Sequence, residues 1–288
     1  MSSVLGAYHC EFGRIVLFSA DRQLAMHAHR EVHVLIKLNG ADGTYLVSGK
    51  EVPITVDKLA LINPWEPHSA IREPNATKST MLALYIDTHW LDLDGDQRVV
   101  PTVRPFMSNS GQVTDQVELY SQRISRSVLS TCSDSKSSLE QEVRELMNCV
   151  LEIGDSGITI SSSTRGIDYR IRRATDLIAG DVKYVASIDK LAAIVGLSRS
   201  HFYERFHATI GMSPKVYADS LMLERCFDAL ALSEDNASID EISAKLGFSA
   251  QSNFCRFFQN KSGFSPSAYR RAAVTQAGYM EKQAPRLT

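Results

Sequence analysis

Residues 187–198, Ser-Ile-Asp-Lys-Leu-Ala-Ala-Ile-Val-Gly-Leu-Ser, recur at 238–249 as Ser-Ile-Asp-Glu-Ile-Ser-Ala-Lys-Leu-Gly-Phe-Ser, an offset of 51. After the turn, beyond Ser198 and Ser249, the offset becomes 52. Phe202 then matches Phe254, Phe206 matches Phe258, and Gly211-Met-Ser-Pro214 with Tyr217 matches Gly263-Phe-Ser-Pro266 with Tyr269. Agreement at so many spaced positions restricts the C-terminal part to two copies of one supersecondary unit.

Each copy carries start and stop signals for two short helices. Ser187 or Ser238 is placed to cap the first helix through its hydroxyl. Gly196 or Gly247 supplies the positive-φ residue of a tight turn. The second helix follows, with Phe202 and Phe206, or Phe254 and Phe258, at i, i+4 on one buried face. Helix, glycine turn, helix is the unit whose second helix enters the DNA major groove. A helix from about Pro214 to Leu232 would join the two units.

Opposite the phenylalanines, the first reading helix offers Arg199, Ser200, Tyr203, Glu204 and His207, and the second Gln251, Ser252, Asn253, Arg256 and Gln259. Arginine suits guanine O6 and N7, and Asn and Gln suit adenine N6 and N7. The second face is therefore the better equipped. Glu204 could accept from a cytosine but would repel nearby phosphates. A helical array for protein binding is the competing use of such a repeat, but two units cannot stack into a solenoid.

Total charge hides this assignment. The 288 residues sum to −2, which gives no support to nucleic-acid binding. Divided at Arg165, however, residues 1–164 hold 14 Lys+Arg against 20 Asp+Glu, and residues 165–288 hold 17 against 13. An acidic part is joined to a basic part, as in many nucleic-acid-binding chains. Five scattered cysteines (Cys10, Cys132, Cys149, Cys226, Cys255) without a C-x-x-C pair fit free thiols in a reducing compartment. Residues 1–14 lack the apolar core of a signal peptide, and the longest apolar runs are strand-sized. The expectation is a cytoplasmic protein with no membrane partner.

The stretch Gly247-Phe-Ser-Ala-Gln-Ser-Asn-Phe-Cys-Arg-Phe-Phe258, followed by Gly263-Phe-Ser-Pro-Ser-Ala-Tyr-Arg270, is close to a known signature. Through it, residues 168–273 resemble the DNA-binding domain of the AraC/XylS family of bacterial transcription regulators. The resemblance implies two helix-turn-helix units on a long connecting helix and two successive major-groove contacts on one face of double-stranded DNA. It also implies RNA polymerase as a further partner, and regulation that is commonly activation. No catalytic residues are expected.

The N-terminal half reads differently. Arg14–Phe18, Glu31–Leu38, Gly43–Ser48, Val52–Val56, Leu59–Ile62 and Met81–Ile86 are short runs rich in Val, Ile, Leu and Tyr. Asn39-Gly40, Asp42-Gly43, Ser48-Gly49 and Asn63-Pro64 punctuate them. Such spacing suggests an all-β barrel or sandwich. His27-Ala-His29-Arg-Glu31-Val-His33 places three histidines at alternate positions, on one face if the segment is a strand. Pro64-Trp65-Glu66-Pro67-His68 adds a fourth. The half resembles the cupin barrel that serves AraC-type regulators as a sensor. By that resemblance His27, His29, His33, Tyr45, Trp65 and His68 would line a pocket for a small polar effector.

A metal-dependent cupin, sensor or enzyme, is the alternative. The pattern departs from it, with His33 where a glutamate is usual and Glu66 where a glycine is usual, so no metal ligands or cofactor are assigned. A second effector-site candidate is the cluster Arg165, Arg170, Arg172 and Arg173, whose forks could clamp an anionic effector such as a nucleotide or phosphorylated metabolite; a solvated first helix or a phosphate-backbone contact is the commoner use of such a cluster.

Val113, Val117, Tyr120, Ile124 and Val128, then Leu139, Val143, Leu146, Met147 and Val150, mark two amphipathic helices. They could cover the β domain, pair with a second subunit in a homodimer, or both. A Ser-rich stretch closes the half. The expected organisation is an α+β chain of two domains: residues 1–155, a cupin-like β-barrel with two helices for effector binding and dimerisation; 156–167, a linker; 168–275, an all-α DNA-binding domain; and 276–288, a tail.

Overall fold

The computed structural model describes residues 2–72, 77–91, 93, 103–130, 138–154, 159–160, 168–181, 187–233 and 237–275. Arg165, Cys132, most of the expected linker and the expected tail lie outside them.

Runs of Val, Ile and Leu become strands because a pleated backbone can bury their side chains on both faces. The strands are β1 (Ser3–Cys10), β2 (Gly13–Ala20), β3 (Leu24–His27), β4 (Val32–Gly40), β5 (Gly43–Val47), β6 (Lys50–Ile54), β7 (Lys58–Ile62), β8 (His68–Ile71), β9 (Ser79–Ile86), β10 (Val103–Arg104), β11 (Ser110–Gln112), β12 (Thr159–Ile160) and β13 (Ala273–Thr275). They form a seven-stranded sheet, β11-β7-β4-β9-β2-β1-β13, a four-stranded sheet, β3-β8-β5-β6, and the pair β10-β12. The N-terminal part, expected as a cupin-like barrel, is two facing sheets, and among the described residues no ladder closes them into one barrel.

Register sets the two faces of the large sheet. Ile15 pairs with Leu84 and Leu17 with Leu82. These side chains, with Val34 and Ile36, meet Val117, Ile124, Leu139, Val143, Leu146, Met147 and Val150 of helices α1 (Asp115–Leu129) and α2 (Leu139–Ile153). The amphipathic faces expected here cover the chain's own sheet. The alternate residues Val16, Phe18, Leu35, Met81 and Ala83 point the other way, toward Tyr45, Val47, Val52, Ile54 and Ala70 of the small sheet.

The helical part contains α3 (Tyr169–Gly180), α4 (Ile188–Ile194), α5 (Arg199–Ile210), α6 (Pro214–Leu232), α7 (Ile239–Lys245), α8 (Gln251–Ser262) and α9 (Pro266–Ala272). The core of the first unit is Ile171, Leu191, Phe202, Phe206, Ile210 and Tyr217, and it takes in Ala28 and Trp65 from the β domain. The second unit has no separate core. Phe227, Leu230, Ile242, Phe254, Phe258 and Tyr269 belong to the same cluster as the space between the sheets. After the last helix, β13 adds to β1 in parallel, with Ala7 beside Ala273 and His9 beside Thr275. Residues 273–275, expected in the DNA-binding domain, therefore complete the N-terminal sheet.

Among the described residues no helix is long and apolar enough to cross a membrane. Cys10, Cys149, Cys226 and Cys255 are free thiols.

Candidate nucleic-acid interface and histidine cluster

The duplicated segments fold as α4-turn-α5 and α7-turn-α8, with Gly196 at φ 71° and Gly247 at φ 80° in the turns. A side chain at either position would be strained. Phe202 and Phe206, like Phe254 and Phe258, are fully buried. Their burial turns Arg199, Ser200, Tyr203, Glu204 and His207 to solvent on α5, and Gln251, Ser252, Asn253 and Arg256 on α8, while Gln259 is half-buried.

The second helices of the two units differ at their N-termini. On α5, Ser198 caps the helix by accepting from the His201 backbone N–H, and Arg199 forms an exposed ion pair with Asp189 at 2.9 Å. On α8 the cap position is Ala250, which offers no side-chain acceptor to the first turn, and the Asn253 N–H donates to the Ala250 carbonyl at 3.0 Å. Asn253 donates to Ser249 at 2.9 Å. Arg256 is exposed and makes no ion pair among the described residues.

Only one of the two expected caps forms. Ser238 and Glu241 make a reciprocal capping box on α7. Ser187 occupies the cap position of α4 but makes no side-chain bond to the helix. The first copy has Lys190 where the second has Glu241, and a lysine cannot accept from the cap N–H.

The four N-terminal histidines converge, though by a different route from a single strand. His27 ends β3, His29 lies in the crossing from the small sheet to the large one, and His33 lies in β4. The crossing is pinned from outside: Trp65 N–H donates to the His29 carbonyl at 2.7 Å, and Ala28 N–H donates to Ser220 Oγ of α6 at 2.9 Å. His68, at the start of β8, pairs with His27 across the ladder. Ring centroids are 4.3 Å apart for His27 and His68, 4.9 Å for His29 and His68, and 4.9 Å for His29 and His33. All four are buried. Burial first, and then the proximity of other imidazoles or Arg14, holds His27, His29 and His33 well below the ordinary histidine value. Burial brings His68 down to about 4. The four rings are neutral at physiological pH.

The other expected effector residues do not join them. Tyr45 is buried in the apolar cluster between the sheets. Trp65, at φ 58°, stacks on Tyr217 of α6 with ring centroids 5.2 Å apart. Of the arginine cluster, Arg170 is held by Asp168 at 2.7 Å, and Asp168 also takes Arg205 at 3.4 Å. Arg172 and Arg173 lie exposed on α3.

Several residues around the cluster had no signal in the sequence. Tyr85 stacks on His33 at 4.3 Å because β4 and β9 pair the two directly. Arg14 sits over Tyr85 and Phe227 and pairs with Glu31 at 3.3 Å. From the helical side, Glu224 accepts from Arg30 N–H at 3.1 Å, and burial pushes its carboxyl above the usual range. Lys261 donates to the Met26 carbonyl at 2.8 Å. Together Arg14, His27, His29, Ser220, Glu224 and Lys261 line a small cavity between the β domain and the second unit. At about 20 Å³ it has room for little more than one water.

Comparison with known proteins agrees with the repeat. A family model described as a helix-turn-helix domain matches residues 191–272. An uncharacterised helix-turn-helix-type transcriptional regulator of Haemophilus influenzae is 32% identical over 105 residues, covering 36% of this chain and 35% of its own length. The regulator MtrA of Neisseria gonorrhoeae is 29% identical over 85 residues, covering 30% and 28%. The match thus spans about a third of these relatives. Vibrio cholerae ToxT, with an unsaturated fatty acid bound, is similar in fold over 96% of this chain and 97% of its own, with a TM-score of 0.50 and 14% identity. With the paired glycine turns, the buried phenylalanines and the exposed polar faces in place, residues 191–272 of this chain are a helix-turn-helix domain, similar in sequence to those of transcriptional regulators.

Proposed function

We propose that the chain is a ligand-responsive, sequence-specific DNA-binding regulator of transcription. The observation that carries this is the second reading helix: Gln251, Asn253 and Arg256 stand together in solvent on a helix without a side-chain cap. These are the residue types that read adenine and guanine in the major groove. Arg199, Ser200, Tyr203 and Glu204 of α5 read a second stretch of the same duplex. A homodimer would double the half-sites, and an activator would in addition touch RNA polymerase.

The β domain is the sensor, and its contacts with both units are the means of transmission. Trp65 holds the first unit, while Lys261, Tyr269 and β13 hold the second. A small carboxylate that enters between the domains would meet Lys261 and Arg14, and ToxT, of similar fold, carries a fatty acid. The cavity as it stands is too small for an organic effector. Binding would therefore require the domains to part, and effector affinity and DNA presentation are coupled through that movement. The nucleotide alternative is less favoured, since Asp168 already occupies Arg170.

Selection of duplexes from a random pool by the purified chain tests this reading. A recovered consensus that binds Arg256→Ala about 1–3 kcal/mol more weakly supports it. Recovery of no consensus would refute it.

A further inference from the structure

Inside the sandwich, ligand atoms of His29, His33 and His68 all lie within 4.8 Å of one another, and all three residues are buried. Carbonyl groups fix the tautomers, because a carbonyl can only accept. His68 Nδ1–H donates to the Glu66 carbonyl at 2.8 Å, so the Nε2 lone pair is bare. His29 Nδ1–H donates to the Glu31 carbonyl at 3.2 Å, which leaves its Nε2 as an acceptor. His33 Nδ1 lies 3.1 Å from that acceptor and supplies the proton, so His33 Nε2 is bare as well. Neither His33 Nε2 nor His68 Nε2 has a hydrogen-bond partner, and both are sealed from solvent.

Two imidazoles, His29 and His68, have one nitrogen tied to a carbonyl and the other left as a lone-pair donor, and His33 beside them can present Nδ1 by changing tautomer, which together is a donor set for a transition-metal ion. We propose that His29, His33 and His68 form a binding site for a divalent transition-metal cation of the zinc, nickel or cobalt class. The donors are all neutral nitrogens, which selects against magnesium and calcium. Metal–nitrogen bonds of about 2.1 Å at tetrahedral angles put donor atoms about 3.4 Å apart. The 3.1 Å between His29 Nε2 and His33 Nδ1 is close to this, and the ligand atom of His68 lies within 4.8 Å of both. A cation on His29 Nε2 sends the His33 proton to that ring's other nitrogen, with no proton released.

Nearby charges accommodate the ion. The Arg14 guanidinium is paired with Glu31, whose free Oε2 lies 3.5 Å from His29 Nδ1 and backs that ligand. His27 turns its Nδ1 to the Ala25 carbonyl and packs at a tilt against His68, with ring centroids 4.3 Å apart.

The full chain, stripped with chelator, is titrated with Co²⁺ and then Zn²⁺. One equivalent of Co²⁺ should bind with visible ligand-field bands, Zn²⁺ should displace it, and X-ray absorption on the wild-type protein should show an imidazole shell. His33→Gln and His68→Gln should each weaken binding by about 100-fold or more, whereas His89→Gln with His201→Gln, at exposed positions, should leave it unchanged. Failure to bind one equivalent, an absorption spectrum without imidazole, or loss only in the surface variant would each overturn the site. If a core variant does not fold, the wild-type absorption spectrum decides.

Discussion

His9 Nε2 lies 2.6 Å from the Tyr269 hydroxyl, a buried contact between residues 260 apart that joins β1 to the last helix of the second reading unit. Burial first, and then the charge of Arg14, holds the His9 pKa down at about 3. An unfolded His9 would take up a proton near its ordinary value of 6.5. The stabilisation is therefore whole above about pH 6.5 and is lost as pH falls toward 3, at about 1.4 kcal/mol per pH unit. By about pH 5 the loss is about 2 kcal/mol. Glu224, whose carboxyl is raised by burial, acts in the opposite sense as pH rises above the usual carboxylate range. His9→Gln keeps a hydrogen-bonding side chain without the titration. Unfolding midpoints measured between about pH 7 and pH 5 should fall less in His9→Gln than in the wild type; equal slopes would rule out this role.

Trp65 holds a left-handed backbone conformation, φ 58°, that bulky residues seldom adopt, and it does so while packed on Tyr217. The contact is the β domain's grip on the first unit. Trp65→Ala should free that unit, so that limited proteolysis cuts α4 or α5 faster while the second unit stays protected. Unchanged cleavage would show that the grip lies elsewhere.

The repeat makes its own control. Ser238→Ala removes a capping box and should cost about 1 kcal/mol. Ser187→Ala, at the equivalent position without a cap bond, should cost only a few tenths of that. Chemical denaturation of the two variants measures the difference, and equal costs would contradict the asymmetry.

What the sequence revealed depended on how local the cause was. The glycine turns, the phenylalanine pairs and the α6 bounds Pro214–Leu232 follow from residues a few positions apart, and they stand where the repeat puts them. Strands β2, β4 and β9 were legible because burial on both faces makes their apolar runs continuous. Strand β1, with Gly6, His9 and Cys10 among its residues, carries no such run. Strand β13 is defined only by its distant partner in β1. The histidine cluster was legible as a set but not as a geometry. His33 meets Tyr85 through a ladder between β4 and β9, and His29 is placed by Trp65 and α6, none of which a residue spacing reveals. Trp65 and Tyr45 left the expected pocket because apolar burial outweighed their polar handles.

Lys261 reaches out of the second reading helix to the Met26 carbonyl and to Asp219 at 3.1 Å. Lys261→Met keeps the buried stem and removes both bonds. It should loosen the second unit, seen as faster amide exchange at 254–262 without a change in far-UV circular dichroism. Unaltered exchange would show that this lysine does not hold the unit.

Footprinting of the purified full chain on a duplex it has selected tests the central claim most directly. Two protected major-groove stretches should appear, one lost in Arg256→Ala and the other weakened in Arg199→Ala. Uniform protection without sequence preference, or a footprint indifferent to both substitutions, would contradict the account.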